Sequence, residues 1–392
     1  MVWFPAQRMA NTYYQVYAAE LGATAAILGM ISAISTIVIS LSRIPGGYIA
    51  DRYGRKKIVV TMTFVIALTY LIYAFAPSWE WILVGAVIAN FSLIYQPALL
   101  AIRADSVPPE KRGVSFAFMG FLSNLVCLPA PLIAAYLVAT YGLIEGMRIV
   151  YLTVTILGIT AAVIRMFLKE TLAKERRESY ETVRKIGSDF KREYVNALKF
   201  IFKKLPGLAI FYMLFNFAFM GILPFLAYYA IYFLGLSNET WGYIYFLSQI
   251  VYLLVLLPVG FFIDKIGRRK MLMTIVGLTV FGALVYGLAP RASGDTVLYV
   301  FAGLSMIMVS NVAFFTSASA LEADIVPREK RGRTSAVLGL VSSFSAAAGQ
   351  SLAGVVYEDV SPRFPFFVAV AVLLAAFAIV LFLIREPEKK EL

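Results

Sequence analysis

The sequence predicts an all-α membrane protein, with twelve transmembrane helices in two pseudo-symmetric six-helix bundles. Three observations predict it. Of the 392 residues, 60% are hydrophobic and only 15% charged, against about 45–50% and about 25% in soluble domains. Apolar runs near the roughly 20 residues that cross a hydrocarbon layer of about 30 Å recur along the whole chain. The second half of the chain repeats the first. The runs are continuous rather than alternating, which argues for helices and against a β-barrel.

In the first half the spans fall at 1–19, 26–50, 58–76, 81–104, 114–140 and 147–168. Span 1 lacks a basic start and a small-residue cleavage site, so it reads as the first helix and not as a signal peptide. Span 2 closes on Arg52, Arg55, Lys56 and Lys57, and span 4 on Lys111 and Arg112. After span 6 comes the one long polar segment, 169–204, with Val183, Ile186, Phe190, Tyr194, Ala197 and Ile201 at helical spacing. That spacing predicts an amphipathic linker lying on the membrane surface. Spans 7 to 12 follow at 205–233, 239–263, 271–289, 296–322, 333–356 and 365–384, giving bundles at 1–168 and 205–392. The second set of basic clusters is Lys265, Arg268, Arg269 and Lys270, then Arg328, Lys330, Arg331 and Arg333. The remaining loops carry at most Arg148, Arg291 and Arg363, so the positive-inside rule places both termini in the cytoplasm of a cell-membrane protein.

The net charge of +12 belongs to these clusters rather than to a nucleic-acid-binding face. One cysteine, Cys127, and no histidine exclude an internal disulfide and argue against a Cys/His metal site. No nucleophile with its base and no phosphate loop points to an enzyme, and no cofactor is implied.

The repeat is gapless from Leu21–Lys57 to Leu234–Lys270, at an offset of 213, with 14 of 37 positions identical. Ala101–Gly113 matches Ala320–Gly332 at an offset of 219, with 9 of 13 identical. Six spans per half, an even number, make the repeats parallel about an axis along the membrane normal.

Gly47-Tyr-Ile-Ala-Asp51-Arg52-Tyr-Gly54-Arg55-Lys56-Lys57, read as a loop between spans 2 and 3, resembles the signature of the major facilitator superfamily. Gly260-Phe-Phe-Ile-Asp264-Lys265-Ile-Gly267-Arg268-Arg269-Lys270 repeats it in the second half. Glycines there permit close approach and a tight turn, and the basic residues face the cytoplasm. The resemblance implies a latch that holds the cytoplasmic side shut. Asp51 would face span 11 and Arg55 would pair with Asp105; Asp264 would face span 5 and Arg268 would pair with Asp324. The alternative is that these charges only set topology and snorkel to the headgroups. Asp-x-Val-Pro-x-Glu-Lys-Arg-Gly, at Asp105–Gly113 and Asp324–Gly332, carries Arg112 and Arg331 in the same gate. Just before it, Arg103 stands where the repeat has Glu322, an ion pair for a closed inner gate or two separately snorkelling charges.

Arg8, Asn11, Thr12 and Gln15 share one face of span 1, and the resemblance implies that this helix lines a central cavity. The repeat counterpart of Pro206 falls before Met1. If the helix extends that far, Arg8 lies near the midplane; if Met1 is the start, it lies nearer the inner interface. Ser92 and Gln96 on span 4, Asn311 on span 10, and Asn216 and Tyr228 on span 7 complete a candidate substrate site, each with interhelical hydrogen bonding as its alternative. No carboxylate in the membrane core neutralises Arg8, so an anionic group of the substrate is one candidate partner, with snorkelling or hydrogen bonding to helix carbonyls as the alternative. Organophosphate exchangers of the superfamily add a second arginine on helix 7, where this chain has Gly221. Ala130-Pro131 resembles a weakened form of the Gly-Pro signature of proton-coupled drug antiporters. The expectation is a monomeric transporter of a small organic solute, secondary active or facilitative, by alternating access. Its alternatives are a multidrug or metabolite efflux antiporter with a proton as coupling ion, and a non-transporting receptor or scaffold.

Overall fold

The computed structural model describes residues 3–108, 111–171, 195–326 and 331–384. The regular elements among them are helices: α1 (Trp3–Glu20), α2 (Ala25–Tyr53), α3 (Arg55–Ala74), α4 (Trp79–Asp105), α5 (Arg112–Cys127 and Ala130–Tyr141) and α6 (Leu143–Arg165). After a helical stretch at 195–204 come α7 (Pro206–Phe233), α8 (Asn238–Ile266), α9 (Arg268–Gly287), α10 (Thr296–Ile325), α11 (Arg331–Asp359) and α12 (Phe364–Leu383). Eleven of these twelve are long and apolar enough to cross a membrane. The twelfth, α1, is too polar to meet that measure, because Gln7, Arg8, Asn11, Thr12 and Gln15 interrupt its 18 residues. A helix of that composition is stable at membrane depth only where protein or water covers its polar face. The chain is a multi-pass membrane protein.

Local chemistry explains where the spans depart from straight helices. The signature expected as a loop is helical on both sides: α2 runs to Tyr53 and α3 begins at Arg55, leaving one residue between them. Hydropathy ends where charge begins, but the backbone ladder continues into the headgroup region. Gly54 turns the chain at φ 95°, and Gly267 does the same between α8 and α9, a left-handed conformation that only glycine adopts without cost. In α4 a 3-10 turn at Leu93–Tyr95 precedes Pro97, which lacks the N–H that would reach the Leu93 carbonyl. Two prolines, Pro129 and Pro131, break α5 after Cys127. In α7, Pro224 interrupts the first segment and a π-helical turn spans Tyr229–Phe233, where the Leu234 N–H reaches the Tyr229 carbonyl at 3.0 Å.

The chain divides into two compact units, one of Met1–Thr24 and Ile34–Lys185 and the other of Ala25–Ala33 and Ile186–Leu392. In unit 1, α6 is the central contact, with α3, α1 and α5 packed on it. Its core holds Tyr14, Tyr17, Tyr70, Tyr73 and Tyr151, whose rings meet edge-on, tilted or stacked at 5.3–6.2 Å. The Tyr17 hydroxyl donates to the Tyr73 carbonyl at 2.9 Å, so this polar tip is satisfied in an apolar interior. In unit 2, α7 packs on α11 and α12, and α10 on α8 and α9. Phe211, Phe215, Phe219 and Phe314 fill its core, with Phe215 and Phe314 stacked at 4.0 Å. The first turns of α2 group with this unit because their backbone meets α11. A Cβ added at Gly29 would lie 2.5 Å from the Gln350 carbonyl oxygen, and the Ala26 N–H donates to the Glu358 carboxylate at 2.9 Å.

Candidate functional site

The polar face of α1 meets α5 at its break. Arg8 is half-buried and lies beside Cys127, the last residue of the first α5 segment. The Thr12 hydroxyl donates to the Arg8 carbonyl at 2.9 Å. Asn11 is exposed and Gln15 half-buried.

One turn further into the basic-loop end of unit 1 lies a cavity of about 550 Å³ between α1, α4, α5 and α6. Its polar lining is Gln7, Gln96, Arg103, Ser106 and Arg165, with the aromatic rings of Trp3 and Tyr95. Gln7 donates to the Tyr70 hydroxyl at 3.4 Å, and Gln96 accepts from the Arg43 Nε at 3.1 Å. The Arg165 guanidinium sits 5.1 Å from the Tyr95 ring and 6.0 Å from that of Trp3, and donates to the Thr63 hydroxyl. Ser92, the other α4 candidate, is buried and donates back to the Ile88 carbonyl at 2.7 Å.

At the α2–α3 turn the structure brings Arg55 and Asp105 together, Nη1 to Oδ2 at 2.8 Å. Two residues just after α6 join them. Thr171 takes a second contact from Arg55 at 3.5 Å, and the Glu170 carboxylate accepts the Lys56 N–H at 3.1 Å, capping the start of α3. The side chains of Asp51, Arg112, Asp264 and Asp324 and the surroundings of Gly47 and Gly260 lie outside the described residues. Arg268 is half-buried, Arg269 donates to the Val380 and Leu381 carbonyls at the end of α12, and Arg331 donates to the Val326 carbonyl at 2.9 Å.

In unit 2 the end of α10 that leads to the second basic loop is acidic. Glu322 is 9% exposed and accepts a hydrogen bond from the Ser335 hydroxyl on α11. Asn216 donates to the Tyr212 carbonyl of its own helix at 2.8 Å; Tyr228 packs against Tyr232 and Tyr357; Asn311 is half-buried. Sequence reasoning missed Arg43, Arg165, Glu170 and Thr171. Arg43 carries the same signal as Arg8, a charge inside an apolar span. Arg165 sits in the last turn of its helix, where a charge reads as topological, and Glu170 and Thr171 fall in a segment taken as linker.

Polytopic helices, a duplicated turn and arginines within a helical bundle fit a membrane transporter. The sequence profile of the Major Facilitator Superfamily matches residues 4–240 and 208–392, and the chain belongs to that family. It is similar to an uncharacterized MFS-type transporter of Methanocaldococcus jannaschii, 25% identical over 321 residues, 81% of this chain and 78% of the relative. A Na(+), Li(+), K(+)/H(+) antiporter of Planococcus maritimus is 31% identical over 161 residues, 40% of this chain and 37% of that protein. Among solved structures, the D-xylose-proton symporter shares the fold at a TM-score of 0.73 and 13% identity, covering 100% of this chain and 96% of that one. The chain is therefore a transporter of small molecules and not an enzyme.

Proposed function

We propose that this transporter moves a small organic anion across the cell membrane by alternating access, with residues 1–168 and 205–392 as its moving halves and both termini in the cytoplasm. The observation that carries the reading is α1, a helix too polar to face lipid, with Arg8 half-buried beside the α5 break. Arg43 adds a second cation within a span, and the carboxylates of the unit 1 helices, Glu20, Asp51, Glu80, Asp105 and Glu145, all stand at helix ends. A carboxylate or phosphate on the substrate is the chemistry that a guanidinium at this depth pairs with most strongly. The test is uptake by proteoliposomes of labelled carboxylates, phosphate esters and lipophilic cations. Arg8→Gln is expected to lower anion uptake by about 100-fold, since a desolvated charge pair is worth roughly 2–5 kcal/mol. Flux of cations alone, indifferent to Arg8→Gln, would overturn the reading.

That outcome belongs to a second reading, proton-coupled efflux of drugs or metabolites, which one feature supports. Glu322 is a buried carboxylate held by a hydroxyl, a group able to take up and release a proton during transport. Under that reading an imposed pH gradient drives ethidium export that Glu322→Gln abolishes and Arg8→Gln spares.

A further inference from the structure

The cavity at the basic-loop end of unit 1 carries more positive charge than its protein neighbours answer. Arg103 and Arg165 both line it, and among the described residues no Asp or Glu does. Among the described residues Arg103 has no hydrogen-bond acceptor or ion-pair partner. Thr63 takes one of the five N–H donors of Arg165, while Trp3 and Tyr95 hold its guanidinium from the sides. Two like charges facing one half-buried space repel, and an anion between them reverses the sign of that interaction. The rest of the wall is apolar, and Leu100 and Ile164 at its edge are 57% and 54% exposed. An inorganic ion would leave that surface unused.

We propose that this cavity binds an amphiphilic anion, its phosphate or carboxylate head between Arg103 and Arg165 and its apolar body along Leu99, Leu100, Ile164 and Leu168. The head is gripped by a guanidinium already fixed in direction and by a second with its donors available, an arrangement suited to bidentate pairing. The repeat position in unit 2 has no counterpart. Glu322 replaces Arg103 there and is bonded to Ser335, and stacked Phe215 and Phe314 fill the core. The site is independent of the solute carried past Arg8, and its occupant is either an anionic membrane lipid or a free amphiphilic anion.

Two arms test it on the full-length protein. In neutral detergent, dodecyl phosphate is titrated against tryptophan emission, Trp3 being part of the cavity wall. In the second arm, protein drawn from nanodiscs of equal phosphatidylglycerol and phosphatidylcholine is weighed by native mass spectrometry for retained lipid. Wild type is expected to bind dodecyl phosphate, or to retain phosphatidylglycerol over phosphatidylcholine, at least about tenfold better than Arg103→Gln and Arg165→Gln. Binding in the first arm alone assigns a free anion, retention in the second alone assigns a lipid, and both support the site. Equal behaviour of wild type and variants in both arms, or no binding in either, overturns it. Should Arg165→Gln not fold, Arg103→Gln carries the test. Flux is not read, so failure here leaves anion transport at Arg8 standing.

Discussion

The crossing of α1 with α5 in unit 1 and that of α7 with α11 in unit 2 hold equivalent places in the internal repeat and are built differently. In unit 1, Arg8 lies beside Cys127 where two prolines break α5. In unit 2 the counterparts of Arg8, Pro129 and Pro131 are Gly221, Ala348 and Gln350, and α11 runs unbroken from Arg331 to Asp359. A Cβ added at Gly221 would lie 3.2 Å from the Gly349 carbonyl, and one added at Gly349 would lie 2.1 Å from the Phe217 carbonyl oxygen. Backbone meets backbone there, leaving no space for a long side chain. The duplication kept the scaffold and spent one crossing on rigid contact, the other on a charged group beside irregular backbone.

Reciprocal substitutions at one repeat position strike that difference hardest. Gly349 corresponds to Ala130, which is fully buried yet already carries a Cβ. Gly349→Ala is expected to cost about 2–3 kcal/mol, at the upper end of overpacking, because the obstructing atom is backbone. Ala130→Gly should cost about 1 kcal/mol, the helix-propensity difference. Chemical or thermal unfolding in detergent gives both numbers. Equal losses at the two sites would mean that the crossings are equally tight and that the contrast fails.

Sequence and structure agree most where a signal is repeated or long. Eleven of the twelve expected helices are apolar enough to span, and Gly54 and Gly267 turn the chain where the signature places them. What hydropathy could not show is how a span is broken inside. The breaks at Pro97 and Pro129 were written in proline, but a window average across 20 residues is blind to one missing N–H. The π turn at Tyr229–Phe233 carries no composition of its own. Among site residues, Arg8 was legible as a charge inside a span, on one helical face with Asn11, Thr12 and Gln15. Ser92 and Asn216 read as ligand groups but donate to their own helices, as Ser and Asn side chains do when a carbonyl lies one turn back. Arg165 and Glu170 acquire meaning only from partners 102 and 114 positions away.

The C-terminal ends of α4 and α10 extend the comparison, with Arg103 lining a cavity and Glu322 bonded to Ser335. Each charge has its surroundings within its own unit. Arg103→Glu and Glu322→Arg are each expected to lower flux about tenfold, near 1.4 kcal/mol, and the double swap to recover none of it. Recovery in proteoliposome uptake would mean that the two charges meet in another state of the transport cycle. The halves would then be linked by a gate pair, and the two ends could no longer be treated as separate inventions.

The smallest expected effect lies at the turn that recurs in each unit. Arg55 joins Asp105 and Thr171, with side-chain exposures of 19% and 42% for the ion pair. Its repeat partner Arg268 is half-buried, and the neighbouring Arg269 reaches the end of α12 through the Val380 and Leu381 carbonyls instead. A pair open to water on the carboxylate side contributes below about 1 kcal/mol, so Arg55→Ala should shift the unfolding transition little and more so at low salt. Its larger consequence concerns conformation. Loosening the α3 start should raise the accessibility of a cysteine placed at Ser106 to a membrane-impermeant maleimide, and Arg269→Ala should leave that labelling unchanged. If Arg269→Ala raises it equally, the turn in unit 1 has no private role. The two copies of the signature would then do the same work despite their different partners.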